Sequence, residues 1–212
     1  GDREVMFIDV LSPEQGGSVE ILAAVKPAGI LRFRGGDRKT QQPEVQSDYW
    51  VKSELTLPAD RIGTAKAVRK ADLDLDGTAD LVFSCEQASG QKSGVVWLAE
   101  DEDGKIKESN GTRWTVRELS GPTGVKFDLL QLVDLDADGD LDLVLHHQSD
   151  GGESFPYAGT SNVSVYENIG SASSPEFAHV ADSAGYGGGV NIDASPFSGD
   201  YNYYGHPVTA FD

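Results

Sequence analysis

The sequence predicts an all-β chain, a propeller of four-stranded antiparallel blades, and three observations carry that prediction. A mostly apolar stretch ending in Asp recurs at 5–9, 67–72, 130–134 and 207–212, so that Asp9, Asp72, Asp134 and Asp212 are spaced by 63, 62 and 78 residues. Within each full interval lie four short segments rich in apolar or β-branched residues, separated by Gly, Asp and Ser turn signals. No segment combines a sustained helical period with cap residues at both ends. Residues 59–70 come nearest to a helical composition, and Gly63 weakens them. A period of roughly 60 residues with short strands inside it marks a unit stacked on copies of itself. Four-stranded units set about a common axis leave only short, protected edges.

In chain order, the first unit (about residues 5–60) places strands at 5–10, 18–25, 29–34 and 49–57. Its first loop, from Asp9 to Glu20, contains Pro13, Gly16 and Gly17 but no alternating carboxylates, so no metal is expected there. The second unit (67–120) has strands at 67–71, 80–85, 94–99 and 113–119. The third (129–182) has them at 129–133, 141–146, 162–167 and 176–181, with a longer connection over 148–161. A Gly-rich, aromatic loop over 185–205 follows, and 207–212 opens a further repeat. Three blades and one strand do not close a ring of about four to eight blades, which predicts further blades or completion by another chain.

The chemistry concentrates between the first and second strands of two units. Residues 134–142 read Asp-Leu-Asp-Ala-Asp-Gly-Asp-Leu-Asp, and 72–80 read Asp-Leu-Asp-Leu-Asp-Gly-Thr-Ala-Asp. Alternating carboxylates around a Gly-permitted turn supply the six to eight oxygens that a calcium ion takes at about 2.3–2.6 Å. In the simplest arrangement Asp134, Asp136, Asp138 and Asp142 give side-chain oxygens and Asp140 its carbonyl. Without a cation, carboxylates so close repel one another. The bland alternative, an acidic solvated turn, loses force when the pattern recurs in register. Because the loops are all-oxygen and self-sufficient, they predict structural rather than catalytic metal.

Composition narrows the class. The 212 residues are 38% hydrophobic, enough for a real core, and no run approaches the roughly 18 apolar residues of a membrane span. No leader pattern is visible at Gly1. A formal charge of -18 argues against nucleic acid as a partner. The single Cys85 ends an apolar strand and reads as a buried small hydrophobe rather than a nucleophile. Trp50, Trp97 and Trp114 lie in or beside strands and are expected to pack between blades. Of the adjacent His146 and His147, which point to opposite faces of a strand, one is expected inside and one in solvent.

The signature Asp-x-Asp-x-Asp-Gly-x-x-Asp followed by an apolar strand, at 72–82 and 134–144, resembles the FG-GAP/VCBS repeat family of integrin-alpha-like calcium-loop propellers. Gly94-Val-Val-Trp97, Val163-Ser-Val-Tyr166-Glu-Asn168 and the stretch 121–127 support the resemblance, which covers nearly the whole chain. It implies a seven-bladed ring and two structural Ca2+ sites. One is formed by the side chains of Asp72, Asp74, Asp76 and Asp80 with the Thr78 carbonyl. The other is formed by Asp134, Asp136, Asp138 and Asp142 with the Asp140 carbonyl. Extracellular calcium modules bind at about 10⁻⁴ to 10⁻³ M, which points to a secreted, extracellular or periplasmic protein. The sequons at Asn110 and Asn162 fit secretion.

Long loops on a rigid scaffold often carry recognition. Phe155, Tyr157, Tyr201, Tyr203 and Tyr204 lie in two such loops and, with His206 beside the second, form a candidate platform for carbohydrate. The expected function is a secreted, calcium-stabilised propeller module for recognition or adhesion, binding carbohydrate or an extracellular protein. The alternatives are the scaffold of a sugar-processing lyase, dehydratase or hydrolase, and a subunit of an extracellular filament. A homo-oligomer is a further expectation of the incomplete ring.

Overall fold

A computed structural model describes residues 4–11, 18–26, 29–35, 50–86, 92–119, 125–149, 161–171 and 174–180. Among them are thirteen strands in three separate antiparallel sheets and no helix. The first sheet is a sequential meander of β1 (Val5–Leu11), β2 (Glu20–Val25), β3 (Gly29–Gly35) and β4 (Trp50–Thr56). The third repeats it with β10 (Val125–Val133), β11 (Asp142–Ser149), β12 (Ser161–Asn168) and β13 (Phe177–Val180). The second sheet has five strands in the order β5 (Thr64–Ala71), β6 (Asp80–Glu86), β7 (Val95–Glu100), β9 (Arg113–Glu118) and β8 (Ile106–Lys107). The fifth strand, β8, is a two-residue addition where the sequence predicts only a polar turn. Residues 64–70 are strand despite their helical composition, because Ala65 and Val68 are buried between sheets.

The opening strand of each sheet carries a register shift at a corresponding place: between Val5 and Phe7, Ala65 and Val68, and Phe127 and Leu129. A bulge inserts an extra residue and strengthens the local twist. β5 and β10 begin before the apolar stretches predicted at 67–71 and 129–133, their first residues pairing on the N-terminal side of these bulges. These opening strands are also neighbours, with β5 beside both β1 and β10.

The sheets stack face to face, and the middle one is covered on both sides. Leu22, Ala24, Ile30 and Leu55 of the first sheet pack on Leu81, Phe83, Val96, Leu98 and Trp114 of the second. Across the strand, Val82, Val95 and Trp97 meet Phe127, Leu130, Leu143, Leu145 and Tyr166 of the third. Successive side chains leave a strand on opposite faces, so a strand buried on both must read as a continuous apolar run. Leu81-Val82-Phe83 and Val95-Val96-Trp97-Leu98 do so. Cys85 is buried in the same core, and burial pushes its thiol pKa up, consistent with a packing role. Trp97 and Trp114 are buried as expected, but Trp50 is 39% exposed. It opens β4, an edge strand of its sheet.

Two sets of charges cross between sheets. The first is buried: Arg32 donates to Glu20 at 2.9 Å and to Glu108 at 2.8 Å, and Lys70 donates to Glu20 at 2.6 Å. The Ser53 hydroxyl donates to Glu108 as well, and the Arg32 guanidinium lies 5.6 Å from the Trp114 ring centroid. Arg32 and the half-buried Lys70 face Glu20 and Glu108, and Arg34 lies 3.6 Å from Glu20, so the desolvation of each buried charge has a compensating partner. The second set is a ladder across all three sheets: Glu4 to Lys26 (3.5 Å), Lys26 to Glu86 (3.3 Å), Glu86 to Lys66 (3.4 Å) and Lys66 to Asp128 (3.5 Å).

Candidate metal centres

The two acidic loops join β5 to β6 and β10 to β11, and they fold alike. The fourth residue of each takes the left-handed region, Leu75 at φ 52° and Ala137 at φ 64°. The sixth does too, Gly77 at 90° and Gly139 at 100°. A Cβ on either glycine would meet nothing within 4 Å, so the requirement for Gly is conformational and not spatial. Carboxylates then turn back on the backbone of their own loop. Asp72 accepts the amides of Asp76 (3.0 Å) and Gly77 (2.9 Å), and Asp134 accepts that of Gly139 (3.1 Å). Asp76 accepts Thr78 N–H at 2.6 Å, while Asp136 and Asp138 accept the amides two residues on, at 3.2 and 3.1 Å. Each short link is a side-chain turn that Asp favours.

This folding gathers carboxylates. Asp72, Asp74 and Asp76 each bring an oxygen within 4.8 Å of the others, and Asp134, Asp136 and Asp138 do the same. Burial pushes the Asp74 pKa up, and the charges of Asp76 and Asp72 add to it, against a backbone hydrogen bond and Arg117. Burial, with the charges of Asp138, Asp142 and Asp136, pushes Asp140 up to about 6. Asp74 Oδ1, Asp134 Oδ1 and Asp140 Oδ1 are buried with no hydrogen-bond partner. A buried, unsatisfied carboxylate oxygen carries its full desolvation cost, and a hard dication within the triads would relieve it at Asp74 and Asp134. The donor set therefore fits calcium.

Asp80 and Asp142, the ninth residues, are placed differently. Both are buried and stand outside the two triads. Asp80 accepts the Leu73 amide at 3.2 Å with one oxygen and the Glu100 amide at 3.3 Å with the other. Asp142 repeats this with Leu135 (2.8 Å) and Asn168 (2.9 Å). Burial, helped by the Asp74 charge, pushes Asp80 up to about 6 against the hydrogen bonds from Leu73 and Glu100. Sequence gives no signal for the link to the third strand, since Glu100 and Asn168 donate only backbone N–H. The Arg32, Glu20, Glu108 and Lys70 cluster is likewise invisible in sequence, with partners up to 76 residues apart.

Beside the first loop lies a cleft of about 410 Å³ lined by Thr78, Glu100, Asp101, Glu102, Thr112 and Arg113. The volume falls in the usual range of ligand sites, about 300–1,000 Å³. Phe155, Tyr157, Tyr201, Tyr203, Tyr204 and His206 lie outside the described residues. His146 is buried on the third sheet.

Fold and loops together define an all-β chain of stacked antiparallel sheets with two matching acidic turns. No family model matches this chain, and neither a curated protein nor a solved structure does.

Proposed function

We propose that the chain is a calcium-stabilised propeller module of the FG-GAP/VCBS kind, in which each sheet is a blade and each acidic loop holds one structural Ca2+. The observation that carries this reading is the recurrence of one loop conformation at 72–80 and 134–142, each with a carboxylate oxygen buried without a partner. Asp72, Asp74 and Asp76 hold the first ion, and Asp134, Asp136 and Asp138 the second, with the Thr78 and Asp140 carbonyls as further ligands. The ion supplies positive charge where three or more carboxylates would otherwise repel.

Calcium at the concentrations such loops require is found outside the cell, so the module works there. Its role is recognition or adhesion toward a carbohydrate or an extracellular protein through the loops that the sheets hold in place. The cleft between Thr78 and Arg113 is one surface for it, and the aromatic loops named from the sequence are another.

Titration calorimetry with CaCl₂ after removal of metal by EGTA tests the reading. Two bound equivalents and a raised melting temperature are expected; at calcium about 100-fold above Kd each site adds about 2.7 kcal/mol. No heat of binding and no thermal shift would sink it. Glycan and protein arrays probed in calcium and in EGTA then test the recognition role, for which calcium-dependent binding is the expected result.

A further inference from the structure

We propose that the segment joining β1 to β2 is a third copy of the acidic loop in which two side-chain cations, Arg32 and Lys70, stand in for the metal ion, a reading that rests on calcium in the other two loops. Register places the three segments in one frame. The last pair between the first two strands is Leu11 with Glu20 in the first sheet, Ala71 with Asp80 in the second and Val133 with Asp142 in the third. The partners are separated by residues 12–19, 72–79 and 134–141, eight each time. In that frame 12–20 reads Ser-Pro-Glu-Gln-Gly-Gly-Ser-Val-Glu. Gly17 falls on Gly77 and Gly139, Glu14 on Asp74 and Asp136, and Glu20 on Asp80 and Asp142, while Ser12 and Gly16 replace the first and fifth carboxylates. Two of the three acids that gather in each acidic loop are thus missing, and the ninth acid is kept.

The neighbours of the ninth acid are exchanged in the same register. Arg32 pairs with Leu22 as Trp97 pairs with Val82 and Val165 with Val144, so the guanidinium occupies the place of an uncharged side chain in both other sheets. Lys70 pairs with Leu81 on β5 as Leu132 pairs with Leu143 on β10. The second sheet therefore turns Lys70 toward the first at the position where the third sheet packs Leu132 into the core it shares with the second. Where the loop keeps its carboxylates, both positions are apolar; where it has lost them, both are cations. Glu20 is 5% exposed, and each of its oxygens has a positive partner. Arg32 Nε and Nη2 lie 2.9 and 2.8 Å from Oε1, Arg34 Nε 3.6 Å from the same atom, and Lys70 Nζ 2.6 Å from Oε2. In the acidic loops, by contrast, Asp74 Oδ1 and Asp134 Oδ1 are buried without a partner. The backbone is rearranged to match. At the end of the third strand the Glu100 amide goes to Asp80 and the Asn168 amide to Asp142, but the corresponding Gly35 amide goes to the Val19 carbonyl at 2.9 Å, which leaves the Glu20 carboxylate to the cations. A guanidinium and an ammonium carry the charge of one dication, and the guanidinium keeps it at every working pH. The loop end of the first sheet is therefore held to the second at any calcium concentration.

The test melts Glu20→Gln, Lys70→Gln and the double variant of the full chain in EGTA and in CaCl₂, and follows a CaCl₂ titration of the parent by calorimetry and by the NMR signals of its amides. Glu20→Gln is expected to lower the melting temperature by at least about 4 °C and Lys70→Gln by at least about 2 °C, equally with and without calcium. The double variant is expected to melt within about 2 °C of Glu20→Gln, because Lys70 acts through the Glu20 charge. Losses that add in full overturn the pairing. Losses that appear only in calcium make Lys70 an accessory of the adjacent loop at 72–80 and overturn it as well. In the titration the Gly77 and Gly139 amides are expected to shift as two equivalents bind, and the Val19 and Glu20 amides to stay in place. A third equivalent that moves Val19 and Glu20 overturns the replacement while the calcium reading stands. Absence of any shift at Gly77 and Gly139 overturns the calcium reading, and the replacement with it. Should the variants not fold, the titration of the parent decides.

Discussion

Leu75 and Ala137 occupy a backbone region that costs an L-residue roughly 1–2 kcal/mol. They stand two residues before glycines that take the same region without that cost. The Asp-x-Asp-x-Asp-Gly pattern makes the glycines legible from sequence. It says nothing of the fourth position, because neither Leu nor Ala signals a left-handed turn. Ala137→Gly is therefore expected to stabilise the protein by about 0.5–1 kcal/mol, net of the entropy a glycine adds to the unfolded chain. Gly139→Ala is expected to cost about 1–2 kcal/mol, both measured by urea unfolding. Glu20 is a second residue whose role only the folded chain reveals. Burial alone would raise its pKa, yet hydrogen bonds and charge from Lys70 and Arg32 outweigh it and hold the carboxyl below its ordinary 4.5. A depressed pKa in the folded state means that its contribution is complete above the ordinary value and is lost as pH falls below it. Glu20→Gln is expected to be less stable at neutral pH and to lose less further stability between about pH 5 and pH 3, as followed by thermal melts.

Among the elements, β6 is the most informative. Its uninterrupted Leu81-Val82-Phe83 run predicts a strand, but only the stacked sheets explain why both parities are apolar: Phe83 enters one core and Val82 the other. Phe83→Ala is expected to cost about 3–5 kcal/mol in urea unfolding. Ile8→Ala is expected to cost well under about 1 kcal/mol, because that side chain on β1 is 55% exposed. Strand positions were legible to within a few residues wherever apolar alternation was strong, as in β3, β6 and β7. They were less so where pairing geometry decides: the bulges lengthen β5 and β10 toward their N-terminal ends, and β8 exists only because Ile106 and Lys107 pair with Trp114 and Arg113. Two residues carry no periodicity to read. The hairpin that contains β8 also brings Glu108 to Arg32, so an element too short to predict supplies one of the two carboxylates of the charge cluster.

At the scale of the whole molecule, the charge of -18 is unevenly placed, with nine Asp residues confined to two loops. Composition alone made the acidity legible, but not the fact that Arg32 and Lys70 stand against Glu20 and Glu108 between the sheets. Excess negative charge is thus left to the loops and the surface, where self-repulsion opposes compaction and salt screens it. In EGTA the melting temperature is expected to rise as NaCl increases from about 0.05 to 0.5 M, and to rise less in calcium, where four positive charges already offset part of the repulsion. An equal salt response with and without calcium would argue that the loops do not bind the ion.

The ladder from Glu4 to Asp128 has a bearing on how similar sheets avoid docking in the wrong order. Near-copies with apolar faces invite exchange of places, and apolar contact alone discriminates poorly among them. The residue six after the loop's last Asp is Glu86 in the second sheet and Gln148 in the third, and the residue six before its first Asp is Lys66 in one and Asp128 in the other. A third sheet docked where the second belongs would lack the carboxylate that Glu86 offers to Lys26. The alternating signs thus act as an address label, written once per sheet, that makes the order of assembly part of what the sequence encodes.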